Sequence, residues 1–249
     1  MLNTKSRSRH KVHKKNNNFL SLPLCSLWFL GALVFEDFLA PKNKELTCNI
    51  IMHNDVRVGL FGGSFDPIHN GHLELARWTK NNLSLDQFIF IPAATPPHKQ
   101  HISLSEPEHR LRMVQLAIKN WHGFEVSDLE LHRKGLSYTI DTINYFRRQF
   151  NLKKASLYLV IGADSLVDFH TWRSPTKILR SCHVVVLPRP EISISHITHE
   201  IKKKVIILAA PLFDISSTEI RKLIKQKQSI NHLMPDPVAK YIFEHKLYQ

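Results

Sequence analysis

"GLFGGSFDPIHNGH", residues 59 to 72, decides how the rest of the chain is read. An apolar run ends in two glycines, a carboxylate and a proline follow, and two histidines three residues apart stand where a helical pattern begins. The stretch predicts a strand, a tight turn and a helix from about Asn70. Gly62 and Gly63 lack a Cβ, so the backbone can turn sharply and let a ligand approach its N–H groups. Pro67 sets the path between Asp66 and His69, Asn70 is expected to cap the helix, and Gly71 keeps its entrance open. A phosphate placed there meets free N–H groups and the positive end of the helix dipole. Two imidazoles beside it, with unperturbed pKa values near ~6.5, can donate to phosphate oxygens whether neutral or charged.

Two histidines at i and i+3 can also bind zinc, but the third ligand and an HExxH-type pattern are missing, so no metal site is expected from the chain itself. Neither GxxxxGK[ST] nor GxGxxG is present, which sets the turn apart from the Walker and dinucleotide loops.

Outward from this motif, strand-like and helix-like stretches alternate. Short, largely β-branched apolar runs at 56–61, 87–91, 157–161, 183–187 and 205–208 read as buried strands. Between them, 70–82, 107–120, 139–150 and 195–204 read as helices. In "EPEHRLRMVQLAIKN", Leu111, Val114 and Ile118 share a face, with Arg110, Arg112 and Lys119 expected largely off it. Such alternation predicts an α/β fold, a Rossmann-like doubly wound parallel sheet with helices on both faces. Ligands of such folds bind beyond the carboxyl ends of the strands.

The chain has 249 residues, enough for one large core, and a formal net charge of +13. An excess of that size points to nucleic acid, a membrane surface or a phosphorylated ligand. It is unevenly spread: residues 1–51 hold eight Lys or Arg against three acids, and residues 52–249 hold 26 against 18. In residues 1–51 a basic opening is followed by an apolar run at 19–35, the order of a signal peptide or anchor. The run is short for a spanning helix, and Met52 stands just before the first strand. We therefore expect the native protein to start at Met52, leaving one domain over 52–249 with no membrane association. Lys202, Lys203 and Lys204 are the most clustered charges there, and read as a solvated helix end. Cys25, Cys48 and Cys182 lie far apart with no CxxC spacing, which fits a reducing cytoplasm and a small buried apolar role for Cys182.

Three further segments have chemistry of their own. In "ISSTEIR", 215–221, Ser216 with Glu219 three residues later forms a capping box, so a second helix begins there. Ser217 and Thr218 add hydroxyls, and Arg221 lies one turn in with a fork suited to phosphate oxygens. In "PPHK" two prolines stiffen a loop presenting His98 and Lys99. Asp164 follows a strand directly, where a carboxylate can accept from ribose hydroxyls.

Together these residues resemble a known family. "GGSFDPIHNGH" is similar to the signature of the nucleotidylyltransferase superfamily, and its form resembles the bacterial nicotinate-nucleotide adenylyltransferases. "IPAATPPHK" (91–99), "GLSYTIDT" (135–142), "IGADSLVDFHTW" (161–172), "ISSTEIR" and "LMPDPVAKYIFEHKLY" (233–248) extend the match in the family's order over 56–249. Where relatives often carry an amide residue in the first of these, Ala93 and Ala94 stand.

The resemblance implies transfer of AMP from ATP to nicotinate mononucleotide, with magnesium travelling on the ATP phosphates. It assigns His69, His72 and Arg221 to catalysis, and Gly62, Gly63, Ser64, Phe65, Asp164, Ser216, Ser217 and Thr218 to ATP. It assigns His98, Lys99, Tyr138, Thr139 and Trp172 to the mononucleotide, Trp172 stacking on the nicotinate ring and Thr139, with the backbone near Tyr138, recognising its carboxylate. Both substrates are small molecules; no nucleic-acid partner is implied, and monomer and homo-oligomer are equally compatible. The alternatives are a sister enzyme acting on nicotinamide mononucleotide or phosphopantetheine, a class I aminoacyl-tRNA synthetase, which has a similar HxGH entrance but needs a longer chain and a KMSKS-like loop absent here, or a basic RNA- or membrane-binding module that has lost catalysis. Such a module is expected to lose the motif histidines or Arg221, and all three are present.

Overall fold

The computed structural model describes residues 56–94, 104–133, 135–189, 192, 193, 195 and 197–249. The expectations placed on residues 1–51, and on His98 and Lys99, lie outside the described residues. Six strands, β1 (Val58–Gly63), β2 (Gln87–Pro92), β3 (Phe124–Val126), β4 (Leu157–Gly162), β5 (His183–Leu187) and β6 (Val205–Ile207), pair in the order β3-β2-β1-β4-β5-β6. Every pairing is parallel. The order reverses between β1 and β4, and the crevice at that switch point receives the turn after β1 and the segment after β4.

Side chains alternate across the pleat, and both faces are buried. Phe88, Phe90, Tyr158, Val160, Val185 and Leu187 point to one side. There they meet Leu73 and Ala76 of α1 (Asn70–Asn82), Met113 and Val114 of α2 (Pro107–Ile118), Ile220 of α7 (Ser217–Lys225) and Val238 of α8 (Asp236–Glu244). Val58, Leu60, Ile89, Ile91, Leu159 and Val184 point to the other side. That face packs on Ile143 of α3 (Thr139–Gln149), Leu166 of α4 (Ala163–Val167) and Ile178 of α5 (Pro175–Ser181). The continuous apolar runs of the sequence thus have the cause inferred for them, a sheet covered twice.

Several local expectations change. The helix expected over 195–204 is a single turn, α6 (His199–Lys202), because nothing on it is buried. The short edge strand β3 escaped notice for the same reason: three residues with one exposed give no readable period. Arg110, expected off the buried face of α2, is 1% exposed and among the largest fully buried side chains. The burial is sustained because its guanidinium makes four hydrogen bonds to backbone carbonyls, as described below. The cap of α1 is His69 in extended conformation, not Asn70, and no side chain caps it. Asn70 is the first helical residue and faces a neighbour instead, its N–H donating to Leu233 O at 2.8 Å and its Nδ2 to His232 O at 3.1 Å. Cys182 is a buried free thiol, pushed up to about 12 by burial. Among the described residues no helix is long and apolar enough to cross a membrane.

Candidate active site

The turn after β1 is built by packing. Phe65 adopts a left-handed conformation, φ 47°, and turns its ring inward onto Phe61, His72 and Phe90 at centroid distances of 5.6, 5.2 and 5.6 Å. Gly63 is required by that ring, since a Cβ there would lie 2.8 Å from it, whereas a Cβ on Gly62 would meet nothing within 4 Å. Phe65 is 1% exposed, so its side chain belongs to the core, and only its backbone is left to face a ligand.

His69 and His72 stack, ring centroids 3.8 Å apart and planes inclined by 29°. His69 is 5% exposed, and its Nδ1 is buried with no hydrogen-bond partner among the described residues. Burial, with the Arg189 charge as a smaller cause, lowers its pKa to about 3. His69 is therefore a neutral donor at physiological pH, which narrows the expectation that either form could serve. Gly71 makes room for it: a Cβ there would lie 3.1 Å from His69 Nδ1. In NMR titration the His69 imidazole is expected to stay unprotonated from pH 8 to pH 5, and a midpoint near ~6.5 would contradict the burial. The sign for stability follows. The unfolded chain takes up a proton near ~6.5 that the folded His69 refuses until about 3, so stability falls as pH drops through that window.

The second helix entrance is joined to the first. At the start of α7, Ser216 Oγ accepts from Glu219 N at 3.1 Å, the expected cap, while the Glu219 carboxylate pairs with Lys222 Nζ at 3.6 Å. Ser217 Oγ donates to Pro67 O at 2.9 Å. Arg221 Nη1 donates to Asp66 O at 2.7 Å, and its Nη2 to Thr218 Oγ1 at 3.3 Å. Asp66 itself is 1% exposed and structural: its carboxylate accepts from Tyr248 Oη at 2.6 Å and from Ser105 N at 3.3 Å. Burial, reinforced by that carboxylate, pushes the Tyr248 phenol well up, so it stays protonated and donates.

Beside the turn lies a cavity of about 240 Å3. Its wall brings Gly62, Gly63 and Ser64 together with Tyr138, Thr139, Asp164 and Trp172. Tyr138 caps α3 and Thr139 opens it; Trp172 follows Phe169 and lies 5.3 Å from its ring. His69, His72, Ser216, Ser217, Thr218 and Arg221 do not line this cavity and form a separate group at the two helix entrances. The volume lies below the ~300–1,000 Å3 of sites for drug-sized ligands, which suits part of one substrate rather than the whole of two.

Three residues at the site were not singled out from sequence. Arg189, just past β5, approaches Asp164 Oδ1 with its Nε at 3.4 Å. Arg110 donates to Ser64 O at 2.9 Å, Ala93 O at 2.6 Å, Ala94 O at 3.1 Å and Ser105 O at 2.9 Å. It thereby ties the turn after β1 to the exit of β2, and Ala93 and Ala94 contribute carbonyls where a side-chain contact was the question. Tyr248 is the third. A cation directly after a buried strand was a usable signal for Arg189; nothing local marked the other two.

Comparison with known proteins agrees with this geometry. A family model described as cytidylyltransferase-like matches residues 60–223. The "probable nicotinate-nucleotide adenylyltransferase" of Clostridium tetani is 40% identical over 197 residues, 76% of this chain and 98% of the relative. The chain belongs to the nicotinate-nucleotide adenylyltransferases. The protein of that name from Thermoanaerobacter sp. is 37% identical over 205 residues, 80% of this chain and 97% of its own length. Among solved structures, the Plasmodium falciparum nicotinic acid mononucleotide adenylyltransferase complexed with NaAD superposes with a TM-score of 0.64 at 24% identity. It covers 77% of this chain and 97% of that one, and shares the fold.

Proposed function

We infer that the chain transfers AMP from ATP to the 5′-phosphate of nicotinate mononucleotide, forming nicotinate adenine dinucleotide and pyrophosphate in NAD biosynthesis. The observation that carries this reading is the joining of two helix N-termini, through Ser217 to Pro67 and Arg221 to Asp66, beside an aromatic-walled cavity. Two adjacent anion-holding entrances suit a triphosphate. The names of relatives matched over nearly their whole length support nicotinate as the ring.

In the reaction an oxygen of the mononucleotide phosphate forms a bond to the α-phosphorus, and the bond from that phosphorus to the bridging oxygen of pyrophosphate breaks. The attacking oxygen arrives ionised, so no general base is required, and positioning plus charge stabilisation account for catalysis. We assign His69, as a neutral donor, and His72 to the phosphates of ATP, His72 to the charge that grows at the α-phosphorus, and Arg221 to the departing pyrophosphate. The hydroxyls of Ser216 and Ser217 already serve the cap and Pro67, so their share in ATP binding runs through the helix entrance they shape; Thr218 stands beside Arg221. Gly62, Gly63, Ser64 and Asp164 share the cavity with Tyr138, Thr139 and Trp172, which supports assigning the turn to the junction of the two substrates. His98 and Lys99 are assigned to the mononucleotide phosphate on resemblance alone.

Among the described residues no group of three or more His, Cys, Asp or Glu side chains is placed to hold a metal ion, and the buried Asp66 carboxylate is committed to Tyr248 and Ser105. Following the resemblance, we assign magnesium to the ATP phosphates, where it would neutralise charge. We place the catalytic unit within residues 52–249 and, on cysteine usage alone, the reaction in the cytoplasm.

The test offers the full chain, with ATP and magnesium, nicotinate mononucleotide, nicotinamide mononucleotide and phosphopantetheine in turn while pyrophosphate release is followed. Fastest release with nicotinate mononucleotide is expected. No release with it overturns the reading, and preference for either other acceptor replaces it with the sister activity.

A further inference from the structure

The chain ends on a strained path. After α8, Leu247 N donates to Ile242 O at 3.0 Å, and Lys246 and Tyr248 both stand in the left-handed region, at φ 51° and 63°. Residues other than glycine rarely adopt that conformation, and it persists only where surrounding contacts over-determine it. Two such contacts hold Tyr248. Its ring packs against the core on the side of the sheet that α1 and α8 cover, and its hydroxyl donates to Asp66 Oδ1 at 2.6 Å.

The Asp66 carboxylate that receives this hydroxyl is 1% exposed, and its other contact, from Ser105 N, is long at 3.3 Å. Two arginines stand near it. Arg110 lies in the field of the carboxylate but commits its guanidinium to four main-chain carbonyls. Arg221 is half-buried, holds the main-chain oxygen of the same Asp66 at 2.7 Å and acts electrostatically on the Tyr248 phenol. A buried carboxylate deprived of a donor carries a large desolvation penalty, which the nearest cation able to move relieves. Here that cation is Arg221, whose fork already rests on the same residue.

We propose that Tyr248 is a positioning residue: by occupying the Asp66 carboxylate, it keeps the Arg221 guanidinium available to the departing pyrophosphate. The proposal rests on the assignment of Arg221 given above and carries the machinery of the reaction to the last turn of the chain. The hydroxyl is the working group, and the ring supplies packing. Removing the hydroxyl alone therefore lets Asp66 capture Arg221, while the core contacts of the ring remain.

The experiment compares full-length wild type, Tyr248→Phe, Arg221→Gln and the double variant at saturating ATP and magnesium. It reads kcat and KM for nicotinate mononucleotide from initial rates of pyrophosphate release. Tyr248→Phe is expected to lose about 10-fold in kcat with KM for the mononucleotide within about twofold, the pattern of a misplaced transition-state contact. In the Arg221→Gln background the same change costs less than about twofold, because no guanidinium is left to capture. A tyrosine that only stabilises the fold costs the same factor in both backgrounds, and any loss of stability in Tyr248→Phe lowers both alike, so the comparison still decides. Equal losses in the two backgrounds, or an undiminished kcat in Tyr248→Phe, overturn the assignment while the functional reading stands. A wild-type chain that releases no pyrophosphate with nicotinate mononucleotide overturns the functional reading and this proposal with it.

Discussion

His72→Ala is expected to lower kcat by at least ~10²-fold while KM for ATP changes by less than about fivefold, the pattern for a donor used mainly in the transition state. The argument is positional. His72 is the third residue of α1, one turn inside the entrance capped by His69, and its ring stacks 3.8 Å from the His69 ring while its other flank meets the buried Phe65 ring at 5.2 Å. Held on both sides, the imidazole has little rotamer freedom left to lose when the α-phosphate gains charge, so its contribution is pre-organised. Steady-state kinetics with circular dichroism on the same sample separates lost chemistry from lost fold. Near-wild-type turnover in a folded His72→Ala protein rules the assignment out.

The second large effect is expected where no catalysis is assigned. Arg110→Met should lower stability by about 3 kcal/mol or more, because it strips the donors from four partly buried carbonyls at once and each orphaned group costs ~1–3 kcal/mol. For a chain of this size that is a fall in Tm of roughly 6–12 °C. Methionine fills much of the volume, so the loss reads the hydrogen bonds more than a cavity. Arg110→Lys should recover only part of it, since an ammonium has three donors and no planar fork to span Ser64, Ala93, Ala94 and Ser105. A melting temperature within 2 °C of wild type in Arg110→Met, against the ~6–12 °C fall expected, would show that water replaces the guanidinium without cost.

The contrast between these residues explains what the sequence made legible. β-branched runs and the glycine turn are local signals, and the strands they predict lie within two residues of those observed, in a sheet of the expected class. Ser216 capping α7 was readable because a capping box acts over three residues. Arg110 was not. Its helical neighbours place it on a polar stripe, and only carbonyls 5 to 46 residues away turn it inward. That the Phe65 side chain is spent on packing was not legible either, because a signature motif does not say which of its side chains turn into the core. The depressed pKa of His69 likewise arises from burial and from Arg189, 120 residues downstream, and no local pattern encodes either.

The hydrogen bond from Tyr248 to Asp66 spans 182 residues. At ~5–20 residues per second of synthesis, the carboxylate in the signature turn waits roughly 10–40 s for the hydroxyl that completes it. A nascent chain can lay down the whole sheet in that interval and still lack a finished turn after β1. The same contact makes the carboxyl terminus a poor place for an affinity tag or a fluorescent reporter. A fusion there pulls on the turn after β1, and removal of Tyr248 is expected to loosen that turn before it unfolds the sheet.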